Sequence, residues 1–591
     1  MNENIRTLLT ELRDYGEAQR HFSKEKLWEL FDGDRDRFNI AHEGLHRHPP
    51  DRVAVRIAHG DGSRAEHSFG ELAAWSSRFA AWLRARGVSP GERVAVMLEP
   101  SLAFYFALFG AMEAGAVAVP LFTLFGPEGL RLRLADCDPA LVLVAPDKAH
   151  LAREAMALLV AANDSRHSAR EPVERRVVVA NDDFLAQVGA TPRGSGSQGE
   201  VVTSAGDTPA GDTSAGDTAA RDIAMFQYTS GTTRELPEAV RHRHRALVTV
   251  MIAALYGTGI RPGDLFMCPS SPAWGHGLWH GTLAPLAMGV TVAAYGGRFD
   301  PVRLLEALHD FRITNLSAAA THYRMMMNCG QAHRFRFAIE KLSFTGEPMD
   351  STTERWVRDT FGTPACSIYG TTEVGVVLAQ YPGARDFKVI PGALGKPVPG
   401  VELAVLDERG RPCPPGTVGH LTLKRREGWF PTKDRAHVDG EGHYFYNGRA
   451  DDVIISAGWT MSAVEIEDVL LMHPAVAEAA VIPVPDAERG QVAKAFLVLK
   501  PGHEPTPEGS PTPRDSPPNS AAPDTAVPET VRDLQSFVQE RLSRHEYPRQ
   551  IAFVTALPKT QAGKVNRRIL REREQQSAPE SHIPPSTRES P

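Results

Sequence analysis

Short apolar runs with the character of buried strands alternate with amphipathic, helix-like stretches along most of this chain. The clearest strand-like runs are Arg93–Leu98, Ala140–Val144, Val401–Leu406 and Ala479–Pro483. The clearest helix-like stretches are Leu72–Arg86 and Val464–Leu471. This alternation predicts helices layered on sheets, which is the α/β class. Since 591 residues exceed the usual domain size of about 100–200, we expect several domains, or one large domain with a smaller appendage.

Three stretches differ in composition from the rest. From about Arg193 to Asp222, Gly-Asp-Thr recurs and almost nothing apolar is available to bury, and from about 502 to 530 Pro, Ser, Thr and Glu dominate. The tail from Arg573 to Pro591 is similar. Because such segments lack the apolar surface that a packed core needs, we predict disorder in all three. The second insertion interrupts a C-terminal part that otherwise has the pattern of a compact α+β unit.

The most apolar stretch, Leu102–Phe122, has about the length of a membrane span. Glu113 lies inside it, however, and Gly115 and Pro120 interrupt it. The pattern therefore predicts a buried helix that leads into a buried strand. The N-terminus lacks the basic start and apolar run of a signal peptide, so no targeting segment is predicted.

Charge and cysteine content exclude further classes. Lys and Arg number 65 against 72 Asp and Glu, a net charge of −7, which gives no electrostatic case for binding nucleic acid or an anionic membrane. Five scattered cysteines, an odd number and never in Cys-x-x-Cys spacing, exclude a disulfide framework and a zinc ribbon. We therefore expect a cytoplasmic protein whose ligands are small molecules.

The segment His42–His46 satisfies the His-Glu-x-x-His pattern of zinc proteases. Gly44 weakens a helix at this point, Pro49 and Pro50 end it within a turn, and no third-ligand motif follows. A structural role is therefore favoured over zinc binding.

The strongest local signal is YTSGTTRELPEAV, from Tyr228 to Val240. Small hydroxyl residues surround Gly231 and follow an apolar lead-in, Ile223–Tyr228. Such a loop exposes backbone N–H groups and hydroxyls that can surround phosphate oxygens. It is not a Walker A loop, because no Gly-Lys-Ser/Thr follows. Taken alone, the segment fits an ordinary turn equally well.

Further motifs follow in a fixed order. They are GEPMD (Gly346–Asp350), SIYGTTEVG (Ser367–Gly375), TKD (Thr432–Asp434), YNGRADDVI (Tyr446–Ile454) and LPKTQAGKVNRR (Leu557–Arg568). Together with the hydroxyl-rich loop, these segments resemble the superfamily of adenylate-forming enzymes, which includes acyl-CoA synthetases, adenylation domains of peptide synthetases and luciferases. Outside the insertions the resemblance runs from about Phe38 to Arg571. It implies a large N-terminal domain, 1–450, of layered sheets and helices, and a smaller mobile α+β C-terminal domain, 451–572.

The resemblance also implies which residues bind the nucleotide. It assigns ATP and AMP binding to Thr229, Ser230, Gly231, Thr232, Thr233, Gly346, Glu347, Pro348, Tyr369, Gly370, Thr371, Thr372, Asp434 and Arg449. Tyr369 would stack on adenine and Asp434 would accept hydrogen bonds from the ribose hydroxyls. Glu373 would hold Mg²⁺, which prefers oxygen ligands.

The same resemblance makes Lys564 the catalytic residue. A flexible ammonium suits a carboxylate and an α-phosphate that become more negative in the transition state. The alternative is a solvated lysine in a basic surface run with Arg567 and Arg568. Asp451 would be the hinge about which the small domain turns.

For coenzyme A, the resemblance implies a thiol tunnel lined by Gly458 and Trp459. Many coenzyme A ligases carry a basic residue directly afterwards, whereas this chain has Thr460, so contacts to the phosphates of CoA are not assigned.

The acyl pocket is expected at Trp274, Gly275, Ala320 and Thr321, with Tyr323 nearby. A large aromatic such as Trp274 can cap the pocket and limit chain length. For Trp279 we expect core packing. Three consecutive methionines, Met325–Met327, fit adaptable acyl contacts or a helix core equally well.

The phosphate loop departs from the superfamily pattern Thr-Gly-x-Pro-Lys-Gly. Arg234 replaces the glycine, one residue is added, and Glu238 and Ala239 replace the Lys-Gly pair. A carboxylate near a triphosphate is repulsive unless it is paired or points away. Arg234, Arg241 and Arg243 are candidates to restore the positive charge, and the roles of Glu238 and Arg234 stay open.

Taken together, the resemblance implies an acyl-CoA synthetase. ATP and Mg²⁺ would activate a carboxylic acid to an acyl-adenylate with release of pyrophosphate, and coenzyme A would accept the acyl group, giving AMP. Two alternatives remain: an enzyme that loads a carrier-protein thiol, and a nucleotide-binding homologue that has lost catalysis. Glu373 and Lys564 argue against the second. The acid, its chain length and the oligomeric state, a homodimer included, stay open.

Overall fold

A computed structural model describes residues 9–11, 13–161, 173–192, 218–228, 239–371, 374–449, 454–456, 459–486, 490–503, 529–542, 547–560 and 564–577. The strands within these residues are β1 Val53–Ala58, β2 Arg64–Ser68, β3 Arg93–Met97, β4 Val117–Pro120, β5 Leu141–Val144, β6 Val177–Val179, β7 Ile223–Gln227, β8 Val240–Arg243, β9 Leu265–Met267, β10 Thr291–Tyr295, β11 Asn315–Ala319, β12 Lys341–Thr345, β13 Ala365–Thr371, β14 Gly375–Ala379, β15 Ala393–Pro397, β16 Leu403–Leu406, β17 Gly419–Arg425, β18 Gly428–Val438, β19 Tyr444–Arg449, β20 Ile454–Ser456, β21 Trp459–Met461, β22 Val476–Asp486, β23 Gly490–Leu499 and β24 Gln550–Phe553.

The helices cover these strands. They are α1 Tyr15–His21, α2 Phe69–Ala85, α3 Leu102–Glu113, α4 Pro127–Cys137, α5 Ala149–Ala161, α6 Val173–Arg176, α7 Asp182–Ala190, α8 Ala246–Ile252, α9 Ala284–Ala287, α10 Pro301–Asp310, α11 Ala320–Asn328, α12 Ser351–Phe361, α13 Ala463–Leu471, α14 Glu529–Arg541 and α15 Arg567–Ser577. Short 3₁₀ turns span Lys26–Leu30, Pro146–Lys148 and Ala332–Arg334, and π-helical turns span His42–His46, Ala253–Gly257 and His276–Leu283.

Two sheets form the N-terminal part. The first has the order β6-β5-β3-β4-β7-β8 and is parallel except at β8. The second runs β16-β17-β18-β19-β15-β14-β13-β12-β11-β9-β10-β1-β2, with a parallel middle from β13 to β1. Helices α2 and α3 join both sheets in one apolar core, which contains Phe79, Phe106, Val94 and Val292. Strands buried on both faces explain why the sequence shows continuous apolar runs rather than alternation.

The C-terminal part has its own small sheet, β21-β20-β23-β22, with β24 added parallel to β23. Its core packs Ile466 and Leu470 of α13 and Leu534 of α14 against Val481 and Leu497 of the sheet. The predicted α/β class, with a large first domain and a smaller α+β second one, is confirmed.

Helix α12 shows how capping fixes the loop before it. Asp350 accepts hydrogen bonds from Thr353 N at 2.9 Å and from Thr353 Oγ1 at 2.8 Å, and thereby caps the helix. Gly362, at φ 73°, ends the helix in the left-handed conformation that glycine tolerates. The segment Gly346–Asp350 is therefore held between the end of β12 and a fixed helix start.

The apolar stretch Leu102–Phe122 is a buried helix, α3, followed by the buried strand β4, as predicted. The Glu113 carboxylate accepts hydrogen bonds from Ser76 at 2.7 Å and Ser77 at 2.6 Å, and it pairs with His46 at 3.1 Å. Burial alone would raise the pKa of Glu113, but these partners hold it below its ordinary value. Among the described residues we find no helix with the length and apolarity needed to cross a membrane.

The segment His42–His46 forms a π-helical turn whose side chains hold the N-terminal region to the core. Glu43 pairs with Arg47 at 2.9 Å, and His46 pairs with Glu113. Within the described part of the chain, no three His, Cys, Asp or Glu side chains converge as metal ligands would.

The predicted first insertion needs correction at its end. Residues 193–217 lie outside the described part, but Thr218–Asp222 is built into the fold. Phe38 N donates to Thr218 O at 3.1 Å, Ala220 N donates to Asp36 O at 2.8 Å, and Ala220 is fully buried. The composition could not predict these contacts, because backbone hydrogen bonds do not depend on side-chain type.

The other two disorder predictions are also too wide. Helix α14 begins at Glu529, so only 504–528 lies outside the described residues. Helix α15 extends to Ser577, and Glu574 pairs with Lys494 at 2.7 Å, so the predicted tail from Arg573 is wrong for its first five residues. Residues 578–591 lie outside the described part.

Candidate active site

A cleft of about 2450 Å³ opens between the N-terminal part and the C-terminal unit. Three adjacent parallel strands, β11, β12 and β13, point their carboxyl ends toward it. Thr321 follows the first of these strands, Gly346 follows the second, and Thr371 ends the third. In open α/β sheets, ligands bind at this edge, because loops there converge without blocking the sheet. Gly346, Glu347, Pro348, Tyr369, Gly370 and Thr371, all predicted for the nucleotide, line the cleft.

Lys564 enters the cleft from the C-terminal unit. It lies in a short hairpin, paired at Lys559 and Val565, in which Thr560 N donates to Lys564 O at 2.7 Å and Asn566 N donates to Pro558 O at 2.7 Å. Its ammonium lies 5.6 Å from the ring centre of Trp274, in cation–π geometry. The C-terminal unit therefore brings its lysine to the residues that the sequence assigned to the acid and the nucleotide.

Gly346 is the point where backbone, lysine and tryptophan meet. Its φ is 99°, and a Cβ at this position would lie 3.2 Å from Lys564 Cε and 3.3 Å from Trp274 Cη2. Only glycine satisfies both the conformation and the space. The absence of a side chain lets Lys564 and Trp274 approach the backbone closely at this point.

A polar cluster surrounds Glu347. Its carboxylate accepts a hydrogen bond from Thr321 Oγ1 and lies 3.8 Å from Arg324. Arg324 also donates to Asp350 at 3.2 Å, and these two carboxylates raise the pKa of the guanidinium against the opposing effect of burial. This cluster joins α11 to the start of α12 and fixes the loop that carries Gly346.

Tyr369 and Asp434 face each other across the sheet. The Tyr369 hydroxyl donates to the Asp434 carboxylate, and its ring lies 6.4 Å from that of Tyr446. Burial and the neighbouring carboxylate raise the pKa of Tyr369 well above its ordinary value, so the phenol stays protonated. The sequence predicted both residues for the nucleotide but not their mutual hydrogen bond.

On the acyl side, Trp274, Gly275 and His276 line the cleft. Gly275 packs on the amide of Gln227, because a Cβ added at Gly275 would lie only 2.7 Å from Gln227 Nε2. His276 is held at both ring nitrogens, with Ser270 Oγ 3.1 Å from Nδ1 and Ser317 Oγ 2.8 Å from Nε2. Burial lowers the pKa of His276 far below its ordinary value, and nearby Lys564 contributes to that shift.

Three of the residues expected at the acyl pocket, Ala320, Thr321 and Tyr323, are not among those that line the cleft. Ala320 and Tyr323 are fully buried in the core beneath it, where the Tyr323 hydroxyl donates to Ser343 O at 2.9 Å. Thr321 binds Glu347 instead, and Met326 is fully buried while Met325 is exposed. Helix α11 turns Ala320 and Tyr323 toward the sheet, and the assignment of Ala320 and Thr321 to the acyl pocket stays a prediction. Trp279 packs in the core, as expected, although one face reaches the cleft.

Other predicted positions lie outside the described residues. They are Thr229, Ser230, Gly231, Thr232 and Thr233 with Arg234 and Glu238 of the same loop, Thr372, Glu373, Asp451 and Gly458. Backbone pairing sets Arg449 opposite Asp434, but the side chains of Arg449 and Trp459 are not described.

The sequence missed several residues at this site. His242, Gln227 and His280 line the cleft, and Arg567 binds both oxygens of Glu467 at 2.7 and 2.6 Å directly beyond Lys564. His280 is visible in the segment WGHGLWHG, Trp274–Gly281, but a lone histidine at helical spacing gives no functional signal. Arg567 looked like part of a surface run because its partner lies 100 positions earlier.

Comparison with known proteins gives two matching family models. The model described as AMP-binding enzyme matches residues 42–428, and the model described as AMP-binding enzyme C-terminal domain matches residues 465–564. Together they cover both parts that form the cleft.

Individual relatives match almost end to end. Acetyl-coenzyme A synthetase of Bacillus subtilis is 28% identical over 590 residues, which covers 95% of either chain. 4-hydroxybutyrate–CoA ligase 1 of Metallosphaera sedula is 28% identical over 547 residues, covering 88% of this chain and 87% of the relative. The crystal structure of an acyl-CoA synthetase from Brucella canis superposes with a TM-score of 0.66 at 28% identity, covering 96% of this chain and 99% of that one.

Proposed function

Because the chain belongs to the family of AMP-binding enzymes, we propose that its cleft activates a carboxylic acid with ATP and then passes the acyl group to coenzyme A. It is an AMP-forming acid–CoA ligase, as are the relatives named above. One observation carries the proposal: Lys564 of the C-terminal unit lies beside Gly346 and 5.6 Å from the ring of Trp274.

In the first step a carboxylate oxygen of the acid attacks the α-phosphorus of ATP, and pyrophosphate leaves. Lys564 faces the point where negative charge grows on both groups, and its ammonium stabilises that charge more in the transition state than in the ground state. Gly346 lets adenine approach the backbone, Tyr369 supplies a ring face, and the buried Asp434 carboxylate accepts hydrogen bonds from the ribose. The close approach of Lys564 and Trp274 to Gly346 brings the reacting groups and the adenine together at this point.

Two groups of this step come from residues outside the described part. The loop Thr229–Thr233 would surround the β- and γ-phosphates, and Glu373 would hold Mg²⁺. The metal, when bound, neutralises charge on the departing pyrophosphate.

In the second step the sulfur of coenzyme A attacks the acyl carbon, and AMP leaves. Lys564 and the thiol must reach the same reacting centre at different times, so the C-terminal unit turns about Asp451 between the steps. Gly458 and Trp459 would then line the path of the thiol.

The test separates the two half-reactions. We expect Lys564→Ala to lose acid-dependent ATP–pyrophosphate exchange by about 100-fold or more, the usual size for removal of one electrostatic stabiliser. Thioester formation from pre-made acyl-adenylate and coenzyme A should change far less. Lys559→Ala is the matched control, since Lys559 lies in the same hairpin but pairs with Glu478 at 2.9 Å and, unlike Lys564, is not itself among the residues that line the cleft.

Equal loss in both half-reactions of Lys564→Ala would contradict the catalytic assignment. Exchange without any thioester on coenzyme A would favour transfer to a carrier-protein thiol. The absence of exchange with every acid in a broad panel would overturn the proposed activity.

A further inference from the structure

One carboxylate holds both ends of the hydroxyl-rich loop that we assign to the phosphates of ATP. Asp136 lies in the last turn of α4, Pro127–Cys137. Its Oδ2 atom accepts a hydrogen bond from the Tyr228 hydroxyl at 2.8 Å and another from Ala239 N at 3.1 Å. Tyr228 directly precedes residues 229–238 of the loop, and Ala239 directly follows them. A single oxygen atom therefore contacts the residue before the loop and the residue after it.

The strands on either side of the loop are paired only up to this point. Strands β7 and β8 are antiparallel neighbours, and their last pair toward the loop is Gln227 with Val240. Tyr228 and Ala239 come one residue beyond that pair. Asp136 therefore supplies the next contact after the strand ladder ends, and it ties the base of the loop to α4.

The ring of Tyr228 is held as well as its hydroxyl. The guanidinium of Arg133, three residues before Asp136, lies 5.7 Å from the centre of the Tyr228 ring and 3.9 Å from that of Phe125. Burial, and then the neighbouring Cys137 and Asp136, raise the pKa of Tyr228 well above its ordinary value. The phenol therefore keeps its proton and donates it to the carboxylate.

Helix α4 is a firm support for these contacts. Leu130 and Leu134 are fully buried in the core of the first sheet. Asp138, directly after the helix, has a φ of 41° and pairs with Arg93 at 3.4 Å and with Arg176 at 3.5 Å. The turn that carries Asp136 is thus fixed to the core before and after the carboxylate.

The base of the loop is also joined to the acyl side of the cleft. Gln227 accepts a hydrogen bond from Trp279 Nε1 at 3.0 Å and packs against Gly275. Gln227 and Ala239 line the same cleft as Lys564. A change at Asp136 therefore acts on a part of the chain that borders the reacting groups.

We propose that Asp136 is a positioning residue for ATP: it holds Tyr228 and Ala239 and thereby sets where the loop meets the β- and γ-phosphates. The inference rests on the proposed function, because it concerns the ATP of the same reaction. Asp136 itself does not bind the nucleotide, since a carboxylate beside a triphosphate is repulsive. Its effect passes through the two residues that it holds.

The experiment compares the affinities for ATP and AMP by calorimetric titration without an acid. AMP has no β- or γ-phosphate and serves as the internal reference. We expect Asp136→Ala to weaken ATP binding by about tenfold, because displaced binding groups lose much of their effect, while AMP binding stays unchanged. Tyr228→Phe removes one of the two donors and should have a smaller effect in the same direction. Asp136→Asn keeps an oxygen acceptor and should recover most of the ATP affinity.

The half-reactions give a second measurement. In Asp136→Ala the KM values for ATP and pyrophosphate should rise in the exchange reaction. Thioester formation from pre-made acyl-adenylate and coenzyme A uses neither compound and should be unchanged, which a general structural defect would not allow. Asp138→Asn is the matched control at the same helix end, since asparagine tolerates the left-handed backbone but loses the charge that pairs with the arginines. It should lower Tm and leave the ratio of ATP to AMP affinity unchanged.

The outcomes separate this inference from the proposed function. An unchanged ATP affinity in Asp136→Ala, or an equal loss for ATP and AMP, overturns the inference. If that variant does not fold, an unchanged affinity ratio in Tyr228→Phe overturns it instead. A change of the ratio as large in Asp138→Asn also overturns it, because the effect would then belong to the helix end in general. The absence of exchange with every acid overturns the proposed function alone, since both affinities are measured without an acid.

Discussion

At the scale of single residues, the site depends on a missing side chain as much as on those present. Gly346 combines a φ of 99° with the close approach of Lys564 Cε and Trp274 Cη2. A methyl group there would displace the lysine, the tryptophan or the ligand that passes between them.

We therefore expect Gly346→Ala to reduce acid-dependent pyrophosphate exchange by about 100-fold, because displacement of reacting groups by about 1 Å has effects of that size. Gly410→Ala is the matched control, with a φ of 74° and open space around its Cβ position. Both variants should lose about 1–2 kcal/mol of stability from the left-handed backbone. Only Gly346→Ala should lose exchange, and equal exchange in the two would contradict the role.

How far the sequence predicts the site is decided residue by residue. Gly346, Tyr369, Asp434 and Lys564, which the motifs single out, all line one cleft, while their roles toward the nucleotide and the acid stay predictions. Ala320 lies in the core beneath the cleft, because a motif does not give the direction in which the first turn of a helix faces, and its acyl role stays a prediction. The positions of His242 and His280 beside the same cleft were not predictable, because they depend on chain segments far apart in sequence.

At the scale of elements, the hairpin that carries Lys564 is tied to α13. Arg567, three residues after the lysine, binds both carboxylate oxygens of Glu467, and Glu467 also accepts from Val481 N at 2.7 Å. This link joins the hairpin and α15 to α13 and to the small sheet. Both side chains also line the cleft, and we expect the link to act by holding the lysine's backbone.

We expect Arg567→Ala to slow adenylation by about tenfold, since a misplaced lysine loses part of its effect. Arg568→Ala is the neighbouring control: that side chain is 59% exposed and pairs with Glu572, one helical turn away, at 3.2 Å. Such exposed pairs contribute about 0–1 kcal/mol. The measurements are the rates of both half-reactions and the Tm of each variant. If adenylation is as slow in Arg568→Ala as in Arg567→Ala, the link between Arg567 and Glu467 does not position the lysine.

At the scale of the whole molecule, the two parts meet through α12 and α13. Ser351 N donates to Asp468 Oδ1 at 3.0 Å across the boundary. Glu354, one turn further along α12, accepts from Gly392 N at 3.1 Å and faces Asp468, Asp350 and Arg358. Burial first, and then the two aspartates, raise its pKa to about 7.

The direction of the pH dependence follows from the raised pKa of Glu354. An arrangement that raises a carboxyl pKa favours the protonated form, so it is most stable at low pH and weakens as the pH rises toward about 7. The arrangement with Lys564 in the cleft should therefore lose ground to the thioester-forming one between about pH 5 and 7.

We expect the ratio of adenylation to thioester formation to fall over that range in the unchanged enzyme, and to fall less in Glu354→Gln. Glu340→Gln is the control, an acidic residue outside the cleft whose N–H binds Thr314 O. If Glu354→Gln keeps the full pH dependence, the buried carboxyl does not bias the domains.

The pairing of Asp36 and Phe38 with Thr218 and Ala220 has a practical consequence for recombinant work. The matched family region begins at residue 42, so a protein trimmed to that boundary would lack Leu27, Leu30, Phe31, Phe38 and Ile40, all buried. Each such side chain contributes about 1.5–3 kcal/mol, and their sum is comparable with the usual domain stability of about 5–15 kcal/mol. We expect the trimmed protein to aggregate on expression, whereas the full chain stays in the soluble fraction.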